Sequence, residues 1–130
     1  MKIPEDVAEM LEKETSIKMI GTVDTNLNVN LEHIKVVKIT SNDTILIPHF
    51  TGNDRTFENL QKNKKISIGI FEPGIIGFKL NGFFTGIKKS EEYLKYFSRF
   101  FDKEKLDGAI SIRITEIYAL TMAIAGEKIA

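Results

Sequence analysis

Residues Val29–Thr40 form a long β-branched run whose apolar positions change phase: Val29 and Leu31, then Ile34 and Val36, then Val37 and Ile39. Side chains alternate faces along a strand with a period of two. An apolar set cannot change phase without a bulge or a sharp bend. The first change falls at Glu32–His33 and predicts a bulge there. A second such shift occurs in Ala109–Leu120, where Ile110, Ile112 and Ile114 lose their alternation near Thr115–Glu116. A sandwich is compatible with these strands, but mid-strand breaks favour a closed or nearly closed barrel, in which one bent strand serves two sides.

The rest of the chain fills in such a barrel. Pro4–Glu14 reads as a short helix, with Val7, Ala8 and Leu11 on one face. Ile17–Val23 reads as a strand, with a hairpin turn at Asp24–Asn28. Thr44–Ile47 is apolar on both faces, as a buried strand is, and Arg55–Asn63 is helical. Ile66–Phe71 and Phe78–Ile87 alternate as strands on either side of the turn Glu72-Pro73-Gly74. Gly82 and Gly86 suit a barrel corner or a close backbone contact. Ser90 then stands ahead of a helix over Glu91–Phe101. The expectation is a mainly β protein, a six-stranded antiparallel split barrel of Greek-key type with flanking helices, forming one domain over residues 1–130.

Composition narrows the function. Eighteen basic and eighteen acidic residues cancel, so no broad positive surface for nucleic acid or an anionic membrane is expected. With no cysteine, disulfides, thiolate metal sites and cysteine nucleophiles are excluded. The start MKIPEDVAEMLEKE lacks an apolar leader segment, and no run approaches the roughly 20 apolar residues of a membrane span. A soluble, cytoplasmic protein is expected.

The most suggestive stretch is Thr51–Leu60, TGNDRTFENL. Gly52-Asn53 supplies a positive-φ turn, and Asp54 or Asn53 caps the helix that follows. The first-turn N–H groups then lie beside the guanidinium of Arg55 and the hydroxyl of Thr56, a natural place for a phosphate. The same residues equally make a capped surface helix with an ordinary exposed arginine. Asp54 is an awkward neighbour for a dianion; it caps the helix or orients Arg55 from behind. At the first phase break, a bulge at Glu32, His33 and Ile34 frees backbone groups for a planar ligand, or simply turns a barrel corner. His33 and His49, the two histidines, lack metal-ligand spacing, and no serine arrangement resembles a nucleophile elbow. The aromatic arc Tyr93, Tyr96, Phe97, Phe100 and Phe101 is wider than one core stripe needs. It suits a buried helix or a subunit interface.

Three segments together, ILIPHFTGNDRTFENLQKNKKISIGIFEP, GFKLNGFFTG and ITEIYALTMAIAGEKI, resemble the flavin-mononucleotide-binding split-barrel superfamily. The nearest likeness is to the short pyridoxamine 5′-phosphate oxidase-like proteins and the small flavin-mononucleotide-binding proteins. The most specific element is the basic-Thr-x-x-Asn-Leu pattern at Arg55-Thr56-Phe57-Glu58-Asn59-Leu60. The resemblance implies a homodimer with flavin mononucleotide (FMN) at the subunit interface. It assigns the phosphate to Arg55 and Thr56, and the ribityl and ring contacts largely to the backbone of Glu32, His33 and Ile34 and of His49, Phe50 and Thr51, near Asn53. Lys79 and Asn81 lie on the strand that approaches the cofactor from the partner subunit. The implied function is an electron carrier or a flavin oxidoreductase with an unknown redox partner. Relatives often carry lysine at the position of Arg55 and proline near His33, and the additional basic residues of the larger vitamin B6 oxidases have no match here. The alternatives on the same fold are a deazaflavin-dependent or amine-oxidising enzyme, or a barrel binding heme or another flat ligand. His33 or His49 would have to ligate the iron in the heme case.

Overall fold

The computed structural model describes residues 1–52, 54–72, 76–120 and 128–130. Seven strands form one antiparallel sheet: β1 (Ile17–Val23), β2 (Val29–Ile34), β3 (Lys38–Ile39), β4 (Thr44–Phe50), β5 (Lys65–Glu72), β6 (Ile76–Lys88) and β7 (Leu106–Ala119). Three helices flank it: α1 (Glu5–Glu12), α2 (Arg55–Lys62) and α3 (Glu91–Phe97).

The strand order is β2-β1-β5-β6-β7-β4-β3, so the two edge strands are consecutive in the chain. Only Lys35–Val37 separates them. Four residue steps reach at most about 14 Å, whereas seven strands laid flat span roughly 29 Å. The sheet must therefore curl until its edges nearly meet, which makes it a split barrel. One apolar cluster fills it, drawing Ile20, Ile34, Ile45, Ile68, Leu80, Ile112 and Ile117 from six different strands, with Val7 and Leu11 of α1 and Leu60 of α2.

Curling needs bends, and three register irregularities supply them. Thr115 is the extra residue where Asn81 faces Glu116 but Gly82 faces Ile114. This is the expected phase shift, and Ile117 and Ala119 continue the inward face beyond it. Thr85 is extra between Phe84 and Gly86, and Asp107 is extra opposite His49 and Phe50. Gly82 is a close-contact glycine: a Cβ there would lie 2.4 Å from the carbonyl oxygen of Arg113.

Three expectations are corrected. Val29–Thr40 is two strands on opposite edges rather than one, so the barrel has seven strands and not six. No bulge occurs at Glu32–His33: β2 pairs with β1 without interruption from Val23↔Val29 to Lys18↔Ile34. Val29 and Leu31 point outward and are 68% and 67% exposed, while Ile34 points inward. Apolar residues on both faces imitated a phase change. The third helix ends at Phe97 and continues only as turns to Phe101, and Ser90 occupies its N-cap position without a side-chain bond. The turn at Pro73-Gly74 and most of the final run TMAIAGEKI lie outside the described residues.

The wide aromatic arc is used within the chain itself. A second cluster, outside the barrel, packs Phe97 against Val36, Leu46, Leu106 and Ala109, with Tyr93, Tyr96, Phe100 and Phe101 around it. It covers the outer side of β4, which explains why that strand is buried on both faces: Ile45 and Ile47 face the barrel and Leu46 faces α3.

Candidate functional site

The start of α2 is built from β4 outward. Gly52 turns the chain at φ 82°, and Asp54 takes the N-cap position. Asp54 Oδ1 accepts the Phe57 N–H at 3.0 Å, and Oδ2 accepts the Phe50 N–H at 3.1 Å. The Asp54 side chain thus faces back toward β4 and the helix, and not toward Arg55. The Arg55 side chain is more than half exposed, with Nε 3.7 Å from Glu58 Oε2. It borders a cleft of about 170 Å³ that also takes in Glu58, Lys62, Asn59, Asp24 and Thr25. The Asp24 carboxyl is held below the usual carboxylate range, chiefly by the Asn28 backbone N–H, with the Arg55 charge contributing. Thr56 is buried, and its hydroxyl is the one buried side-chain polar atom lacking a hydrogen-bond partner among the described residues.

A larger trough of about 650 Å³ runs over the outer face of β1, β5, β6 and β7. Gly21, Val23, Gly82 and Phe83 give it apolar ground, and Lys64, Lys65, Ser67, Asn81, Thr115 and Glu116 its polar groups. Asn81 is held from two sides: its Oδ1 accepts from Ser67 Oγ at 2.7 Å, and its Nδ2 lies 3.5 Å from Glu116 Oε1. The Glu116 carboxyl is held below its usual range, first by the Tyr118 hydroxyl and then by Asn81 and Lys128. The two clefts abut. Val23 of the trough precedes Asp24 of the smaller cleft, and Lys62 of the smaller cleft lies two residues before Lys64 of the trough. Together they offer a small pocket in which two cations, Arg55 and Lys62, stand among two carboxylates, Asp24 and Glu58, beside a broad floor. That arrangement suits a ligand with a small polar end and a broad planar end.

The residues singled out from the sequence fall in three places. Arg55 and Asn81 line the abutting clefts, and Lys79, two residues before Asn81, lies over the Tyr118 ring at 4.7 Å. On β2, Ile34 is buried in the core and Glu32 accepts from Asn30 Nδ2, while His33 is exposed across from Met19. His49 is buried, Phe50 meets Phe101 edge-on at 5.2 Å, and the Thr51 N–H donates to the Lys105 carbonyl at 2.8 Å. Asn53 lies outside the described residues. Sequence reasoning missed Lys62, Lys65, Ser67 and Glu116. The alternation of β5, which turns Lys65 and Ser67 outward opposite the inward Ile66 and Ile68, was the available signal.

Nor did it foresee the company of His49. The ring's Nδ1 lies 2.8 Å from Asp54 Oδ2 and its Nε2 3.4 Å from Asp107 Oδ2. Asp107 reaches it because it is the extra residue of a bulge.

The fold is a split barrel, the fold of the solved structures that the chain resembles. No family model matches the chain, and no curated protein is similar to it in sequence. Among solved structures it is similar to an FMN-binding protein from Syntrophomonas wolfei subsp. wolfei, at a TM-score of 0.73 and 21% identity over 88% of this chain and 84% of that one. HupZ of Group A Streptococcus superposes at a TM-score of 0.80 and 17% identity over 98% and 99% of the two chains. A pyridoxamine 5′-phosphate oxidase-type protein from Lactobacillus delbrueckii superposes at 0.71 and 13% over 90% and 93%.

Proposed function

We propose that this chain binds flavin mononucleotide and acts as a redox protein, an electron carrier or a flavin oxidoreductase. The observation that carries the reading is the pair of abutting clefts on a split barrel. The smaller cleft carries Arg55 at the start of α2 and Lys62 at its end, cations that offset the Asp24 and Glu58 carboxylates and can pair with a phosphate. The larger trough has the size and the flat glycine-containing floor that a planar ring system requires. Its outer rim continues into exposed Leu31, Phe71 and Phe83, and a second copy of the chain covering these residues would close the trough. A homodimer is therefore part of the proposal.

When bound, the flavin ring supplies the electron or hydride chemistry. The chain's own residues bind, orient and shield. Glu116, with its carboxyl held below the usual range, stays ionised at neutral pH and accepts hydrogen bonds rather than donating them. The polar groups of the trough thus serve as anchors for ring edges. For heme, both ring nitrogens of His49 already face carboxylates, so the exposed His33 of β2 is the remaining candidate ligand.

The test is direct. Purified protein titrated with FMN and with riboflavin should bind FMN more tightly, and Arg55→Ala should remove most of that preference while leaving riboflavin binding nearly unchanged. Protein that takes up neither flavin overturns the reading. Equal losses for both ligands would show that Arg55 does not hold the phosphate.

A further inference from the structure

A cluster of buried polar groups surrounds His49. The ring sits inside the barrel mouth, tilted at 38° against Phe57 of α2 with centroids 4.1 Å apart. Both of its nitrogens face carboxylates: Asp54 from the loop before α2, and Asp107 from the β7 bulge. Lys89, from the link between β6 and α3, stands 3.6 Å from the other Asp107 oxygen. Among the described residues these are the charged groups that face the ring, and the Arg55–Glu58 pair lies just beyond, on α2. The His49 and Asp54 side chains are only 8% and 6% exposed.

A neutral imidazole has a single N–H and can serve one of the two carboxylates; the imidazolium serves both. Asp54 is also the residue immediately before Arg55, at the N-terminal end of α2. Its carboxyl faces β4 and the helix rather than the Arg55 cleft, whose own lining carries Asp24 and Glu58. Its negative charge adds to theirs against an anion bound at that end of α2, and the low exposure of the His49–Asp54 pair leaves its share poorly screened. A proton on His49 offsets the Asp54 charge.

We infer that His49 is a positioning residue that links anion binding at α2 to proton uptake: the protonated ring neutralises Asp54 and strengthens the hold of the Arg55 cleft on a phosphate. The inference rests on the reading of that cleft as the FMN phosphate site. Linkage is reciprocal, so FMN binding draws a proton onto His49, and lower pH favours FMN. Riboflavin, which lacks the phosphate, is indifferent to His49. The FMN phosphate itself runs the other way, since its dianion gains population as pH rises through about 6. The informative quantity is therefore the difference between the wild-type protein and a variant.

FMN and riboflavin are titrated into wild-type protein, His49→Gln and Asp107→Asn from about pH 6 to about pH 8, the range in which a histidine titrates. Calorimetry in two buffers of different ionisation enthalpy reads the protons taken up. Across that range wild-type protein is expected to lose about fivefold more FMN affinity than His49→Gln, and to take up more protons on binding FMN. Riboflavin should give the same pH profile in both. Asp107→Asn keeps the Asp54 contact and removes the second negative charge beside the ring, so it should show a smaller proton uptake even if His49→Gln fails to fold. If FMN remains preferred over riboflavin but wild-type protein and both variants share one pH profile, the inference is overturned and the phosphate reading stands. If wild-type protein shows no preference for FMN over riboflavin, both fall.

Discussion

The ammonium of Lys18 is wholly buried and lies 2.7 Å from the carbonyl oxygen of Lys13, the residue that ends α1. It also reaches the carbonyls of Ser16 at 3.3 Å and Lys35 at 3.4 Å. One cation thus ties the end of α1 and the start of β1 to the short crossover that brings the two sheet edges together.

Burial pushes the Lys18 ammonium below the usual 10.5 of a lysine, against a smaller opposing effect of Glu14. The folded protein therefore releases this proton at a lower pH than the unfolded chain does. Between the lowered value and 10.5 the unfolded state binds more protons, so this group makes stability rise with pH in that window. The urea midpoint of wild-type protein should gain on that of Lys18→Met as pH climbs toward 10.5. Curves that stay parallel would show that the burial has no such consequence.

Gly82 and Gly52 should respond to alanine for different reasons. At Gly82 the new Cβ meets the Arg113 carbonyl at 2.4 Å, and backbone must move, so Gly82→Ala should cost about 3 kcal/mol. At Gly52 nothing lies within 4 Å, but φ is 82°, so Gly52→Ala should cost roughly 1 kcal/mol from conformation alone. Urea denaturation of the two variants separates a clash from a strained backbone.

Ser67→Trp should fill the trough without disturbing the core. Ser67 is exposed on the outer face of β5, where its hydroxyl donates to Asn81 Oδ1 at 2.7 Å. FMN and riboflavin affinities should both fall by at least about tenfold, while thermal stability moves by less than about 0.5 kcal/mol. Unchanged binding of both would place the flavin elsewhere.

Leu31→Lys tests the covered face. Leu31 is 67% exposed beside Gly21, so in an isolated subunit a lysine there costs almost nothing. Across a dimer interface it buries a charge. Sedimentation should show wild-type protein as a dimer and Leu31→Lys shifted strongly toward monomer. Two identical profiles would remove this face from the interface.

How legible the protein was in its sequence varies by element. Strict alternation of isoleucines in β5 and β7 located those strands, because the period of two survives wherever one face is wet. Around Thr115 the phase shift was a true bulge, since one extra residue really does invert the pattern. At Glu32–His33 the same signal misled: Val29 and Leu31 are apolar and outward, on a surface left open in the single chain. The helix after Ser90 ran too long because Phe100 and Phe101 continue its aromatic pattern in turns that only the outer cluster holds in place.

Arg55 and Asn81 were recognisable as candidates from residue type and likeness, yet nothing in the chain said that they line two neighbouring clefts. Chain chemistry alone determined the β-rich class, the seven-residue strand β1, the capped start of α2 and the absence of thiol chemistry, all consequences of local periodicity and residue type. Only the tertiary structure decided the seventh strand, the joining of the two edges through Lys35–Val37, and the meeting of His49 with Asp107, residues 58 positions apart. Such partners are set by register and bulges across the barrel, and a long-range register is a property of the closed sheet rather than of any segment in it.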